Sequence, residues 1–215
     1  MILVVNNYIE NVHLGDLDMK GVGELVQTLS GQDFMVKRYY EVSSAFLSDH
    51  PEITGVILGG CNSNWDYLYF DVYDGVIDLV QNTEIPVLGI CAGHHLMAIA
   101  YDGVVRRCDF GKEERFFTEI EVIQQSPLTE GLDEHVYAFE YHYCAVLELP
   151  ENCERLMKSK KTQTQAFRVK GKHQYGVQFH PELDKEAKDP LFRAETGREP
   201  NGQIILKNFL NLCEG

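Results

Sequence analysis

The stretch that most constrains this fold is PVLGICAGHHLMAIAYDG, residues 86–103, in which an apolar strand runs into Gly89, Cys91 and Gly93 and continues as a helix-compatible segment. Glycines two residues before and two after the cysteine permit a sharp strand-to-helix turn, with the thiol at its crest and space beside it for an approaching carbonyl. The helix amino terminus at that point carries partial positive charge, which favours an anionic sulfur. Taken alone, the turn leaves open that Cys91 is an ordinary buried cysteine next to two glycines.

A strand that turns into a helix in this way belongs to a parallel sheet with crossover helices, and the first half of the chain reads accordingly. MILVV is a first strand. Val22, Leu25, Val26 and Leu29 form one apolar helical face, with Gly31 as a left-handed terminator, and FMVKRY is a second strand. ITGVIL runs into Gly59 and Gly60, and Val72, Val76, Leu79 and Val80 repeat the helical spacing before PVLGI. From about Arg115 the pattern becomes β-rich, in FFTEIEVI, VYAFEYHY, TQAFRVKG and YGVQFH, which adds antiparallel or mixed strands to the first sheet. Ile205, Leu206, Phe209, Leu210, Leu212 and Cys213 mark a closing helix, with Asn201 as its N-cap, and LDKEAKDPLFRAETGREPNG before it is a charged surface excursion. The expectation is one domain over residues 1–215, of α/β class, with three layers: a mostly parallel central sheet, helices on both faces, and extra strands in the second half.

Composition narrows the function. Asp and Glu outnumber Lys and Arg by 33 to 19, a net charge of -14, so the field of the molecule repels nucleic-acid backbones and anionic membranes. No apolar run reaches membrane-spanning length, and MILVVNNYIE reads as a strand rather than a signal peptide. The six cysteines are scattered without a CxxC pair, which argues against a disulfide or metal framework and for a reducing, cytoplasmic setting where a free thiolate persists. The adjacent His94 and His95 point in different directions on a helix and have no ligand cluster to join, so neither a metal nor another cofactor is expected.

A nucleophilic thiol needs a base. In YGVQFHPEL, Val177 and Phe179 alternate along a strand that delivers His180 at its end, and Glu182 follows two residues later, close enough to fix the imidazole tautomer. Alone, this could be a loop histidine after a strand with a solvated glutamate. Together with the Cys91 turn it makes a candidate Cys-His-Glu site.

GICAGHH followed by FHPE resembles the class I glutamine amidotransferases, and MILVV, ILGG and the terminal GQIILKNFL extend the resemblance over nearly the whole chain. It implies a flavodoxin-like fold and hydrolysis of glutamine to glutamate and ammonia through a thioester on Cys91, the ammonia passing to a partner synthase or ligase. It further implies an oxyanion hole formed by the amides of Gly60 and Ala92, with Gly59 beside the substrate. His95 stands where the family has a substrate-holding glutamine, and His142 resembles a histidine near the family's substrate pocket. The His95 substitution keeps a second reading open, a stand-alone hydrolase acting on another γ-glutamyl small molecule. A third reading, a catalytically silent regulatory subunit, is opposed by the presence of all three of Cys91, His180 and Glu182.

Overall fold

The computed structural model describes residues 1–62, 70–108, 117–184 and 199–214. Its main sheet begins with β1 (Ile2–Asn6), β2 (Phe34–Arg38), β3 (Gly55–Leu58) and β4 (Val87–Ile90). After the short β5 (Val104–Arg107) come β6 (Phe117–Val122), β7 (His135–Phe139), β8 (Cys144–Glu148), β9 (Cys153–Lys158), β10 (Ala166–Val169) and β11 (Gln174–Val177). Nine of these form one sheet in the order β2-β1-β3-β4-β11-β10-β9-β6-β7, and β5 and β8 form a separate antiparallel pair. The sheet is parallel from β2 through β11 and antiparallel beyond it.

Five helices are described: α1 (Val12–Ser30), α2 (Ser44–Asp49), α3 (Asp74–Asn82), α4 (Ala92–Ala100) and α5 (Gln203–Leu212). The alternation along β1 shows why its residues are apolar throughout. Ile2 and Val4 pack with Met19, Val22 and Val26 of α1 and with Ile205, Leu206, Phe209 and Leu210 of α5. Leu3 and Val5 face the other way, onto Val76, Leu79 and Val80 of α3 and Leu96 and Met97 of α4. Both faces of the strand are therefore removed from water, as the three-layer reading requires. Gly31 ends α1 with φ 73° and its N–H on the carbonyl of Gln27.

Two local expectations differ from the structure. Val72 belongs to a 3-10 turn, Phe70–Tyr73, ahead of α3 and is 42% exposed, while Tyr73 takes the buried place and donates its hydroxyl to the carbonyl of Asn7 at 2.6 Å. Asn201 does not cap the last helix. Its Oδ1 accepts from the Tyr137 amide at 2.7 Å, and the first turn of α5 is satisfied instead by Asp184, whose Oδ2 accepts from the Gln203 amide at 2.6 Å. The excursion over residues 183–202 falls mostly on 185–198, outside the described residues.

The Asp184 cap makes stability pH-dependent. Burial is the largest influence on its carboxyl and raises it to about 7 from 3.8, against the amides of Gln203 and Gly202, which lower it, and with the Glu182 charge, which raises it further. A folded-state value above the unfolded one means the folded protein holds this proton more tightly. The contribution is complete below about pH 4 and is lost as pH rises through about 7. Asp184→Asn keeps an acceptor for the helix amides and cannot ionise. The Tm of the variant minus that of the wild type should therefore grow between about pH 4 and pH 8. A difference that is flat across that range in thermal melts would show that Asp184 is not the titrating group.

Candidate active site

The site forms where β4 and β11, neighbours in the parallel part of the sheet, reach their carboxyl ends, the edge at which open α/β sheets place ligands. β4 ends at Ile90, α4 starts at Ala92, and Cys91 between them has φ 51° and ψ -101°. A non-glycine residue at positive φ is a strained turn held by its surroundings. Its amide donates to the carbonyl of Val177 at 2.8 Å, and its own carbonyl accepts from the His95 amide at 3.1 Å. The flanking glycines are required by close approach: a Cβ on Gly93 would strike the carbonyl oxygen of Leu58, and one on Gly89 would lie 2.5 Å from the Gly93 carbonyl. The thiol is almost buried and points towards the carbonyl oxygen of Tyr141, 3.8 Å from Sγ.

His180 follows the end of β11 by three residues and is held by its amide, which donates to the carbonyl of Phe139 at 2.8 Å. Pro181 then starts a 3-10 turn, Pro181–Leu183, that brings Glu182 back to the ring. Nδ1 lies 2.8 Å from Glu182 Oε1, which leaves Nε2 for the thiol. Burial alone would lower the imidazole pKa. The charge of Glu182, the adjacent Cys91 sulfur and the hydrogen bonds to both outweigh it and hold the ring well above the usual histidine range. Cys91, His180 and Glu182 thus share one cleft of about 510 Å³, with Glu182 bonded to the imidazole and the Cys91 sulfur beside the ring.

Gly60 lines this cleft, and a Cβ placed on it would be 3.2 Å from His180 Cε1 and 3.5 Å from Cys91 Cβ, so its backbone borders the reacting groups. Ala92 opens α4, where a first-turn amide has no intrahelical acceptor. Gly59 is directed elsewhere. Its amide bonds Val5, its carbonyl accepts from Asn7 Nδ2, and Met19 packs against it.

His95 and His142 also lie off the cleft. His95 is buried behind the turn, its Nε2 2.8 Å from Gln178 Oε1, and burial pushes its pKa down to about 4. His142 is buried with Nδ1 2.9 Å from the carbonyl of Cys144 and Nε2 3.8 Å from Glu140 Oε2. Its neighbours Phe139 and Tyr141 line the cleft instead, together with Tyr8, Asp18 and Asn62. The alternation in FEYHY holds the signal for that division, because residues 139 and 141 share one side and 140 and 142 the other. Tyr8 had a signal too, since it closely follows the carboxyl end of β1. Its hydroxyl donates to Asp18 Oδ2 at 2.6 Å.

Comparison with known proteins places the whole chain beside one family. The family model for glutamine amidotransferase class I matches residues 34–196. A subunit of the glutamine-hydrolyzing GMP synthase of Methanocaldococcus jannaschii is 34% identical over 78% of this chain and 78% of its own length. The protein of the same name from Methanosarcina barkeri is 31% identical over 99% of this chain and 96% of its own. Among solved structures, a putative GMP synthase subunit from Thermoplasma acidophilum superimposes with a TM-score of 0.76 at 24% identity, over 99% of this chain and 93% of that one, which is a likeness of fold.

Proposed function

This chain belongs to the class I glutamine amidotransferase family, and we propose that it hydrolyses the γ-amide of glutamine and passes the ammonia to a separate synthase partner. The observation that carries the reading is the chain of contacts from Glu182 through His180 to Cys91 in one cleft. Relatives that match nearly the whole chain bear the name of a glutamine-hydrolyzing GMP synthase subunit, which supports a synthase of that kind as the recipient.

In this mechanism the Cys91 thiolate attacks the γ-carbonyl carbon, and the carbonyl oxygen takes up the negative charge. The amides of Gly60 and Ala92 stabilise that oxyanion. The C–N bond then breaks as the His180 imidazolium gives its proton to the leaving nitrogen, producing ammonia and a γ-glutamyl thioester on Cys91. His180, now neutral, takes a proton from water as the water attacks the thioester, and glutamate leaves with the thiol restored. Glu182 holds Nδ1 throughout, so that Nε2 faces the sulfur and the imidazolium is stabilised.

The stand-alone γ-glutamyl hydrolase reading depends on His95 as a substrate contact. With His95 behind the turn and bonded to Gln178, that support is absent. The silent-subunit reading is opposed by the formed ion pair of His180 and Glu182 next to the Cys91 thiol. The test is release of glutamate and ammonia from glutamine by the chain alone and in the presence of the synthetase component of a GMP synthase. Turnover that is present or rises with the partner is expected. Absence of glutamine turnover under both conditions, with turnover of another γ-glutamyl amide, would overturn the proposal.

A further inference from the structure

The segments that carry Cys91 and His180 come from different parts of the sequence, and two hydrogen bonds join them just below the reacting atoms. One is the backbone bond from the Cys91 amide to the Val177 carbonyl, 2.8 Å long. The other lies one residue further along the base-bearing strand end, between Gln178 Oε1 and His95 Nε2 at 2.8 Å. His95 is itself tied to the nucleophile through its own amide and the Cys91 carbonyl, and Gln178 is fixed by its amide on the carbonyl of Gln165 at 2.8 Å. Both side chains are fully buried, His95 at 1% and Gln178 at 0% exposure, so water does not compete for the bond.

Resting on the assignment of Cys91 and His180 as nucleophile and base, we propose that His95 and Gln178 are positioning residues, a buried clamp that holds the nucleophile turn against the base-bearing strand end and so sets the thiol-to-imidazole geometry. Neither touches substrate. Burial keeps the His95 ring neutral, so it has one N–H to give, and Nε2 gives it to Gln178. The neighbouring His94 is neutral as well, its pKa held well below the ordinary value by burial first and then by His95, and it packs on Phe167 and Gly176 without reaching the base. The bond at His95 is thus a side-chain link from α4 to the residues that lead directly into His180.

The other cysteines provide internal controls for a test by iodoacetamide, a probe too small to report substrate recognition. Cys61 lines the same cleft, and Cys144, Cys153 and Cys213 are buried. Site-resolved mass spectrometry on the folded full chain gives the alkylation rate at each. Loss of one buried hydrogen bond should slow Cys91 roughly three- to tenfold in His95→Leu and in Gln178→Leu, with Cys61 unchanged and the three buried thiols still protected. The double variant should be no slower than either single one, because both remove the same bond. His95→Gln, which keeps an N–H donor of similar reach, should return Cys91 to within about twofold of the wild type.

A merely structural role has the opposite signature, faster alkylation at Cys144, Cys153 and Cys213. That result in both leucine variants overturns the clamp, as does an unchanged Cys91 rate in both. If wild-type Cys91 reacts no faster than Cys61, the underlying thiol–imidazole assignment fails and the clamp falls with it. A fast wild-type Cys91 that ignores both substitutions sinks the clamp alone.

Discussion

Cys91→Ala is expected to abolish glutamate release from glutamine, with a loss on the order of 10⁴-fold or more, because the alanine cannot form the thioester through which the proposed mechanism runs. His180→Ala should cost a similar factor, since the same ring activates the sulfur and protonates the leaving nitrogen. Glu182→Gln should be milder, on the order of 10²- to 10⁴-fold, because the oxyanion donors and the other two groups remain while the imidazole loses its orienting charge. The two strong effects should not add in the double variant Cys91→Ala/His180→Ala, as groups that act in one step fail as a unit. Steady-state rates with an ammonia-coupled assay decide the matter. Wild-type turnover in Cys91→Ala would remove the covalent route altogether.

The same ion pair fixes the direction of a pH effect. The Glu182 charge and the Cys91 sulfur overcome burial and hold His180 protonated to higher pH than an ordinary histidine. Linkage then makes the His180 contribution to stability fully present below the unfolded histidine value and lost as pH rises through the higher folded value. Activity that needs the imidazolium should fall in the same alkaline range. In Glu182→Gln the supporting charge is gone, so the alkaline limb of kcat/KM should move to lower pH.

The features that could be read from residues are those whose geometry is local. The apolar runs of β1, β3 and β4, the heptad-like face of α1 and the Gly-x-Cys-x-Gly turn are each specified within a few residues, and the FHPE segment brings Glu182 to the His180 ring within a single turn. Positions decided by distant partners were not legible. Asn201 has the right chemistry for an N-cap, but Tyr137 claims its side chain and Asp184, nineteen residues before Gln203, does the capping. His95 follows the nucleophile by four residues, and nothing near it in the sequence says that Gln178 waits on the inner side of the helix. β5, β9 and the single-turn-and-a-half α2 carry neither an apolar run through their length nor clean alternation, as in CERLMK of β9, because their faces are set by what they pack against.

The largest expected effect on stability is at the turn itself, and a second glycine gives it a control of opposite sign. Gly93 lies in the first turn of α4, packed so tightly under β3 that a Cβ would strike the backbone carbonyl of Leu58 and crowd its Cβ at 2.7 Å. No rotamer change relieves a clash with main chain, so either β3 or α4 must move, and Leu58 and Met97 are fully buried on the two sides of that contact. Gly93→Ala should therefore destabilise by about 3 kcal/mol or more, towards the upper end of overpacking costs. For a chain of this length that corresponds to a Tm drop of roughly 6–12 °C. Gly21 also sits in a helix, α1, with no heavy atom within 4 Å of where its Cβ would be. Gly21→Ala gains helix propensity without a clash and should raise stability by about 0.5–1 kcal/mol. Propensity favours alanine at both sites, so the difference in sign isolates packing as the cause. Because α4 carries the Ala92 amide and the Cys91 carbonyl anchors its first turn, the shift forced by Gly93→Ala should also lower glutamine turnover below the melting range. Thermal melts and turnover of the two variants side by side test this, and a Gly93→Ala protein as stable and active as the wild type would show that the turn has room the close contact with Leu58 denies.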